Sequence, residues 1–418
     1  MKRMTCVVAS LVVSWAMSSG AVYAQNVVTD WATIVQPPLN TPARLPGVQM
    51  VLRAMAQIAV YDAVVAIEGG HQPFAAAITA PPGADVRAAV ATAAYLTARA
   101  RVVPSQFAAL DNAYQTYMAN IPAGAAREDG VSVGAAAASA VVALRSDDGM
   151  TNVVLYACSA NPAPAGEFEP DGGCGSQPAG ANLGQIEPFT FTNPAQFRPD
   201  GPDPLTSNAY IEDFVETRDF GRLDSNVRSP EQTDVAYFWQ AVNTHQGLID
   251  LAISRGLGVR DTARFLAMVY TAAADANITG FEAKYFYRSW RPRTAIPQAE
   301  IDGNPDTDAD ETWKPLITVN HPEYPSAHSY SSNAIADTIG RFFGTNKVTW
   351  TLTASRTAIP QLVQTERTYY DLNALMREIY DARVWAGLHW RHSMMHGAQV
   401  GRKVARHVSD NFFRPVPD

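Results

Sequence analysis

His321-Pro322-Glu323-Tyr324-Pro325-Ser326-Ala327-His328, continuing as SYSSNAIADTIGRFFG to Gly344, is the stretch on which the fold turns. Past Ser329 the apolar residues Ile335, Ile339 and Phe342 recur at helical spacing, and Gly344 supplies a stop. Ser326, Ala327 and His328 therefore sit where a helix begins. Free backbone N–H groups and the positive end of the helix dipole meet there, which favours an oxyanion, and an imidazole beside it can move protons.

The helical period continues on both sides of this stretch. Val48 to Ile67 carries Val51, Met55 and Ile58 on one spacing, interrupted by Asp62 and ended by Gly69-Gly70. Further helices are expected from Asp85, an N-cap, to Arg101, and after Pro104 with a cap at Ser105 and a face of Phe107, Leu110, Tyr114 and Tyr117. A fourth runs from Ala125 to Leu144, where alanines and Gly134 suit close packing. Ser229-Pro230-Glu231-Gln232 is a capping box opening a helix with Val235, Phe238, Trp239 and Val242 inward. Asp261 is expected to cap the next, with Phe265, Met268, Val269 and Ala272 inward, and others should run from about Arg367 through Asp381 and after His389.

No alternating strand pattern exceeds a few residues, so the fold class is all-α: helical bundles with a long irregular loop excursion and little or no sheet. That excursion, residues 147–207, is dense in Pro, Gly, Asn and Asp. It separates N-terminal helices at 48–146 from a C-terminal helical part at 229–410 that carries the site. The 47% hydrophobic content is spread evenly, which favours a single domain over 25–418 with one large core in two sub-bundles.

Residues 1–24 read as a signal peptide, with Lys2 and Arg3, an apolar run from Cys6 to Met17, and Val22-Tyr23-Ala24 as the cleavage pattern. That run is shorter than the roughly 20 residues that span a bilayer, and no later segment is expected to span one. The protein is therefore expected to be exported, periplasmic or secreted. Cleavage removes Lys2 and Arg3 and no acidic residue, so the net charge of −8 becomes −10, which argues against a nucleic-acid partner. Cys158 and Cys174 remain, and in an oxidising compartment they are expected to pair, closing a loop worth about 3 kcal/mol in the chain-entropy model.

Three clusters carry chemistry. Lys284 and Arg291 are seven residues apart, which on one continuous helix puts them on one face, interleaved with Phe281, Tyr285, Phe286, Tyr287 and Trp290. Aromatic neighbours want burial, and a buried cation needs a buried anion. Ser326, Ala327 and His328 form the second cluster. Arg383 and His389 form the third, and they are about 240° apart on an unbroken helix, so both can face one ligand only if the helix breaks, as Gly387 allows. Together these residues describe a tetrahedral-oxyanion site of cations, hydroxyl, backbone N–H groups and imidazoles.

Lys284-x6-Arg291-Pro292, then Pro325-Ser326-Ala327-His328, then Arg383-x5-His389, resembles the three-part signature of the vanadium-dependent haloperoxidase and type 2 phosphatidic acid phosphatase superfamily. Arg288-Ser289-Trp290-Arg291-Pro292 and Gly387-Leu388-His389-Trp390-Arg391 are closer to the bacterial haloperoxidase-like branch, and the Ala-rich helices and the region from Phe189 to Trp239 are similar to that branch's N-terminal half. The resemblance implies vanadate as cofactor, with His389 as the vanadium ligand and Lys284, Arg291, Arg383, Ser326 and the Ala327 N–H holding its oxygens. It also implies His328 as acid/base, and hydrogen peroxide and a halide or small organic acceptor as partners. A histidine at position 321 leans toward bromide or iodide. Nothing in the sequence fixes an oligomeric state, so a homo-oligomer stays open.

Three residues depart from that pattern. Ala327 stands where the family usually has Gly, and a left-handed backbone there would cost about 1–2 kcal/mol. Ala382 stands where the pattern often has Ser. Ser393 stands where Asp usually steadies the ligand histidine, with Asp275 as a substitute to consider.

Other chemistries remain on the same residues. Because phosphate and vanadate share shape and charge, the same pocket suits an exported acid phosphatase with a phosphohistidine on His389. His389, His392 and His396 invite a zinc reading but lack a glutamate base. Asp302 to Asp308 resembles the start of a calcium loop without its Gly and Glu, and Ser326 lacks the glycines of a hydrolase elbow. His71, His245 and His407 stand alone as structural residues.

Overall fold

The computed structural model describes residues 26–41 and 44–416, so the signal-peptide reading falls on residues outside it. Helices α1 (Val27–Ile34), α2 (Gln36–Leu39), α3 (Pro46–Glu68), α4 (Val86–Arg99), α5 (Phe107–Ala119) and α6 (Ala125–Leu144) come first. After the excursion come α7 (Asn208–Gly221), α8 (Pro230–Ala241), α9 (Thr244–Ser254), α10 (Val259–Tyr287) and α11 (Pro292–Ala295). The chain closes with α12 (Ala327–Phe343), the antiparallel pair β1 (Trp350–Thr353) and β2 (Glu366–Tyr369), α13 (Leu372–Trp385) and α14 (Arg391–Asn411). Among the described residues the fold is all-α apart from that two-stranded ribbon.

Helix α10 is the axis of the molecule. From Phe265 to Ala276 almost every side chain is buried, because α3 packs on one side and α12 and α14 on the other. One hydrophobic core runs from Val27 to Phe413 and takes in both ends of the described residues. Helix α3 is long and apolar enough to cross a membrane, contrary to the sequence expectation, but 89% of its most apolar window is buried against the rest of the protein. Asp62 interrupts that run because its carboxylate accepts the N–H groups of Phe74, Ala75 and Ala76 and so fixes the chain after the helix.

Several element ends differ from their sequence reading. Ser105 lies in a 3-10 turn and caps nothing, so α5 starts without a side-chain cap. Asp261 lies inside the first turn of α10, whose cap is Gly258, so its charge meets the helix dipole instead. Arg367 is in a strand, and α13 begins only after Asp371, whose side chain accepts from Asn373 and Ala374. The capping box at Ser229 and Gln232 forms as read. The excursion holds two 3-10 turns among its described residues, and Cys158 and Cys174 are disulfide-bonded within it.

Helices α4 and α6 approach closely because α6 has glycines where they touch. A Cβ on Gly134 would lie 2.2 Å from the Ala89 carbonyl oxygen and 2.8 Å from Thr92 Cβ. Both obstacles sit on the neighbouring helix and cannot swing aside. Gly134→Ala should therefore cost about 1–3 kcal/mol in denaturant unfolding. No loss of stability would mean that α4 and α6 can slide apart.

Candidate active site

Three helix ends converge beneath α10. The first is the end of α10 itself, which stops at Tyr287 when Arg288 turns left-handed at φ 55°. Lys284 and Arg291 therefore do not share a helical face, as the sevenfold spacing suggested. Lys284 is in the last turn, Arg291 caps α11, and the reversal between them brings both inward. Arg288 is pulled away to Glu167. The second end is the start of α12, where Ser326 is the N-cap and Ala327 the first helical residue. Ala327 is not among the positive-φ residues, so the strain considered there is absent. The third is the break after α13, where Gly387 takes φ 70° and lets Arg383 and His389 serve one site.

The three cations are buried and lack carboxylate partners. Lys284, Arg291 and Arg383 are each no more than 1% exposed, and among the described residues none forms a salt bridge. Lys284 Nζ donates to the carbonyls of Pro322 and Glu323 at 2.9 and 2.8 Å. Arg291 donates to the carbonyls of His321 and Leu388 at 2.6 and 2.7 Å. Both terminal nitrogens of Arg383 share Gln240 Oε1 at 3.2 Å, and its Nε has no partner. Burial and mutual repulsion hold Lys284 well below its ordinary range. Burial brings Arg383 down to about 9, with Arg291 adding to the shift. It brings Arg291 down to about 10, against the pull of Glu323.

Hydrogen-bonding groups complete the cage. Ser326 Oγ is buried without a partner, while its N–H donates to the Ser393 carbonyl at 3.2 Å. Ala327 and His328 occupy the helix start, where backbone N–H groups have no intrahelical acceptor. His328 Nε2 meets the Trp239 carbonyl at 3.1 Å, so it carries the hydrogen and leaves Nδ1 as the acceptor. His321 Nδ1 lies 3.0 Å from Arg291 Nη2 and 3.2 Å from the Pro322 carbonyl; towards the guanidinium, which only donates, it is the acceptor. Its ring packs on Phe281. All three imidazoles, His321, His328 and His389, are held well below their ordinary range, first by burial and then by the surrounding arginines.

A residue not singled out from the sequence completes this centre. Glu323 is fully buried and its Oε1 lies 2.6 Å from His389 Nδ1. Asp275, considered for that place, lies elsewhere: it accepts from Phe189 N–H and from Thr190 N–H and hydroxyl, anchoring the excursion to α10. The only signal for Glu323 was an acid standing alone among prolines and aromatics in His321–Pro325. Its partner is 66 residues away. Trp239 and Gln240, from the end of α8, gave no signal. His392 and His396 point away from the cage, to Asp213 and to the Tyr324 hydroxyl. Arg391 pairs with Glu216 and Asp381. Asp302 closes its own loop through Asn304 and Thr307. A cleft of about 510 Å³ lined by Tyr210, Trp290, Trp390 and His392 touches Glu323 but none of the three cations.

Residues 264–417 match the family model described as the vanadium chloroperoxidase (VCPO) second helical-bundle domain. A curated relative, the vanadium chloroperoxidase of Curvularia inaequalis, is 28% identical over 159 residues, covering 31% of this chain. The match spans about a quarter of that relative's length, 25%. Among solved structures, a bacterial vanadium-dependent iodoperoxidase superposes with TM-score 0.78 at 20% identity, covering 94% of this chain and 97% of its own. A bacterial vanadium-dependent chloroperoxidase in its holo form gives 0.71 at 16% identity, covering 94% and 98%. At those identities the likeness defines a common fold over nearly the whole chain, including the parts outside the VCPO-type bundle.

The residues fit an oxyanion on physical grounds. Three buried cations face one buried carboxylate, and leaving a charge uncompensated in the interior costs several kcal/mol. Arg383→Leu should therefore leave the ligand-free protein no less stable, because it relieves repulsion from Arg291. The same change should remove more than half of the rise in melting temperature that orthovanadate or phosphate produces. A full oxyanion-induced rise in that variant would take Arg383 out of the cage.

Proposed function

We propose that this protein is a vanadate-dependent haloperoxidase that oxidises halide with hydrogen peroxide, with iodide or bromide favoured. The observation that carries the reading is the cage of Lys284, Arg291 and Arg383, buried without acid partners around the unpartnered Ser326 hydroxyl and the His389 ring. Lys284, Arg291, Arg383, Ser326 Oγ and the Ala327 N–H would hold vanadate oxygens, and His389 Nε2, left free by the Nδ1 bond, would be the ligand to vanadium. Bound vanadate supplies a Lewis acid that activates peroxide without changing oxidation state. The cations withdraw electron density from the oxygens they hold, and their donors are fixed before reaction, so no reorganisation is needed. His328 accepts a proton at Nδ1 while Trp239 keeps its ring in place.

His321 supports the preference for the softer halides: held by Arg291 and Phe281, it puts an imidazole beside the cage. The relatives' names include both chloride and iodide enzymes, so the preference rests on this residue. Export is proposed with this activity, from the basic-then-apolar start of the chain and the Cys158–Cys174 disulfide, a bond that persists in oxidising compartments.

The test is reconstitution with orthovanadate, addition of peroxide with iodide or bromide, and parallel assay of halide oxidation and aryl phosphate hydrolysis. Vanadate-dependent halide oxidation, lost in His389→Ala, is expected. Hydrolysis without halide oxidation would contradict the proposal and assign the cage to a phosphatase.

A further inference from the structure

We infer that Glu323 is the positioning residue for His389, fixing which ring nitrogen faces the cage. His389 Nδ1 approaches Glu323 Oε1 at 2.6 Å, and the Trp390 N–H approaches the same oxygen at 3.3 Å. The Trp390 N–H can only donate, so this oxygen is an acceptor. Nδ1 then carries the hydrogen and Nε2 presents its lone pair to the cations.

The backbone at Glu323 is tied down on both sides. The Glu323 N–H donates to the Ser289 carbonyl at 2.9 Å, and the carbonyls of Pro322 and Glu323 both hold Lys284 Nζ. One segment therefore orients a cage cation through its carbonyls and the cage imidazole through its side chain. Ser393 is fully buried, has an unpartnered hydroxyl, and lies beside Glu323. A carboxylate at 393 would add a second buried acid beside Glu323.

Charge and positioning predict opposite signs for one substitution. A carboxylate next to an anion site repels the anion, so Glu323→Gln should tighten vanadate binding if charge were its only effect. If Glu323 orients His389, the same change should weaken binding by about 10- to 100-fold. The inference rests on the vanadate reading only for this arm.

The experiment has two arms on the full chain. First, vanadate dissociation constants are measured for the wild type, Glu323→Gln, His389→Ala and the double variant. We expect Glu323→Gln to bind at least about 10-fold more weakly than wild type, and the double variant to bind no more weakly than His389→Ala, because the acid acts through that ring. Unchanged or tighter binding in Glu323→Gln would overturn the inference, as would a further equal loss in the double variant. Second, 15N shifts of the His389 ring are recorded in the ligand-free wild type, where hydrogen at Nδ1 and a bare Nε2 are expected. The opposite tautomer would overturn the inference. Failure of the wild type to bind vanadate would defeat the proposed function, and the tautomer would still decide the role of Glu323.

Discussion

Arg291 is close enough to Lys284 and Arg383 to depress their proton affinity, and all three are buried with carbonyls, one amide and one imidazole as partners. Cations rarely survive in a protein interior on such terms. The structure must therefore supply the cost of burying them, and it does so by packing everything else tightly. Helix α10 is buried along most of its length, and one core spans both halves of the chain. The site is thus held under electrostatic strain by the fold, which a bound oxyanion would relieve.

The site's geometry comes from chain interruptions. A straight continuation of α10 would send Arg291 along the helix and away from α12. The left-handed turn at Arg288 sends it back. A straight continuation of α13 would put His389 about 240° from Arg383. Gly387 has φ 70°, and a Cβ there would lie 2.4 Å from the Gly221 carbonyl oxygen, so both the conformation and the space require glycine. The third end, at Ser326, offers its backbone donors because a helix has to begin somewhere, and this one begins facing the cations. Glu323, just before that start, ties the loop to the ring at His389.

Much of this was legible in the sequence, though some of it for the wrong reason. The helix from Ser326 to Gly344, the break at Gly387 and the capping box at Ser229 follow from local chemistry, which a sequence displays directly. Lys284 and Arg291 were grouped by periodicity, yet they meet because the helix fails between them. Asp275 and Glu323 show the other limit. Both are acids in apolar surroundings, and sequence patterns cannot say which one reaches His389. Asp275 is consumed by Phe189 and Thr190, whereas Glu323 pairs across 66 residues. The strand at Glu366–Tyr369 is not legible, because four residues carry too little periodicity to be told from a helix start.

The most direct measurement is X-ray absorption at the vanadium edge on protein loaded with one equivalent of orthovanadate, in wild type and in His389→Ala. If the buried cations form an oxyanion cage closed by His389, the wild type should show one nitrogen neighbour among oxygens, and the variant should show oxygens alone. An all-oxygen shell in the wild type, or identical spectra in the two proteins, would contradict it.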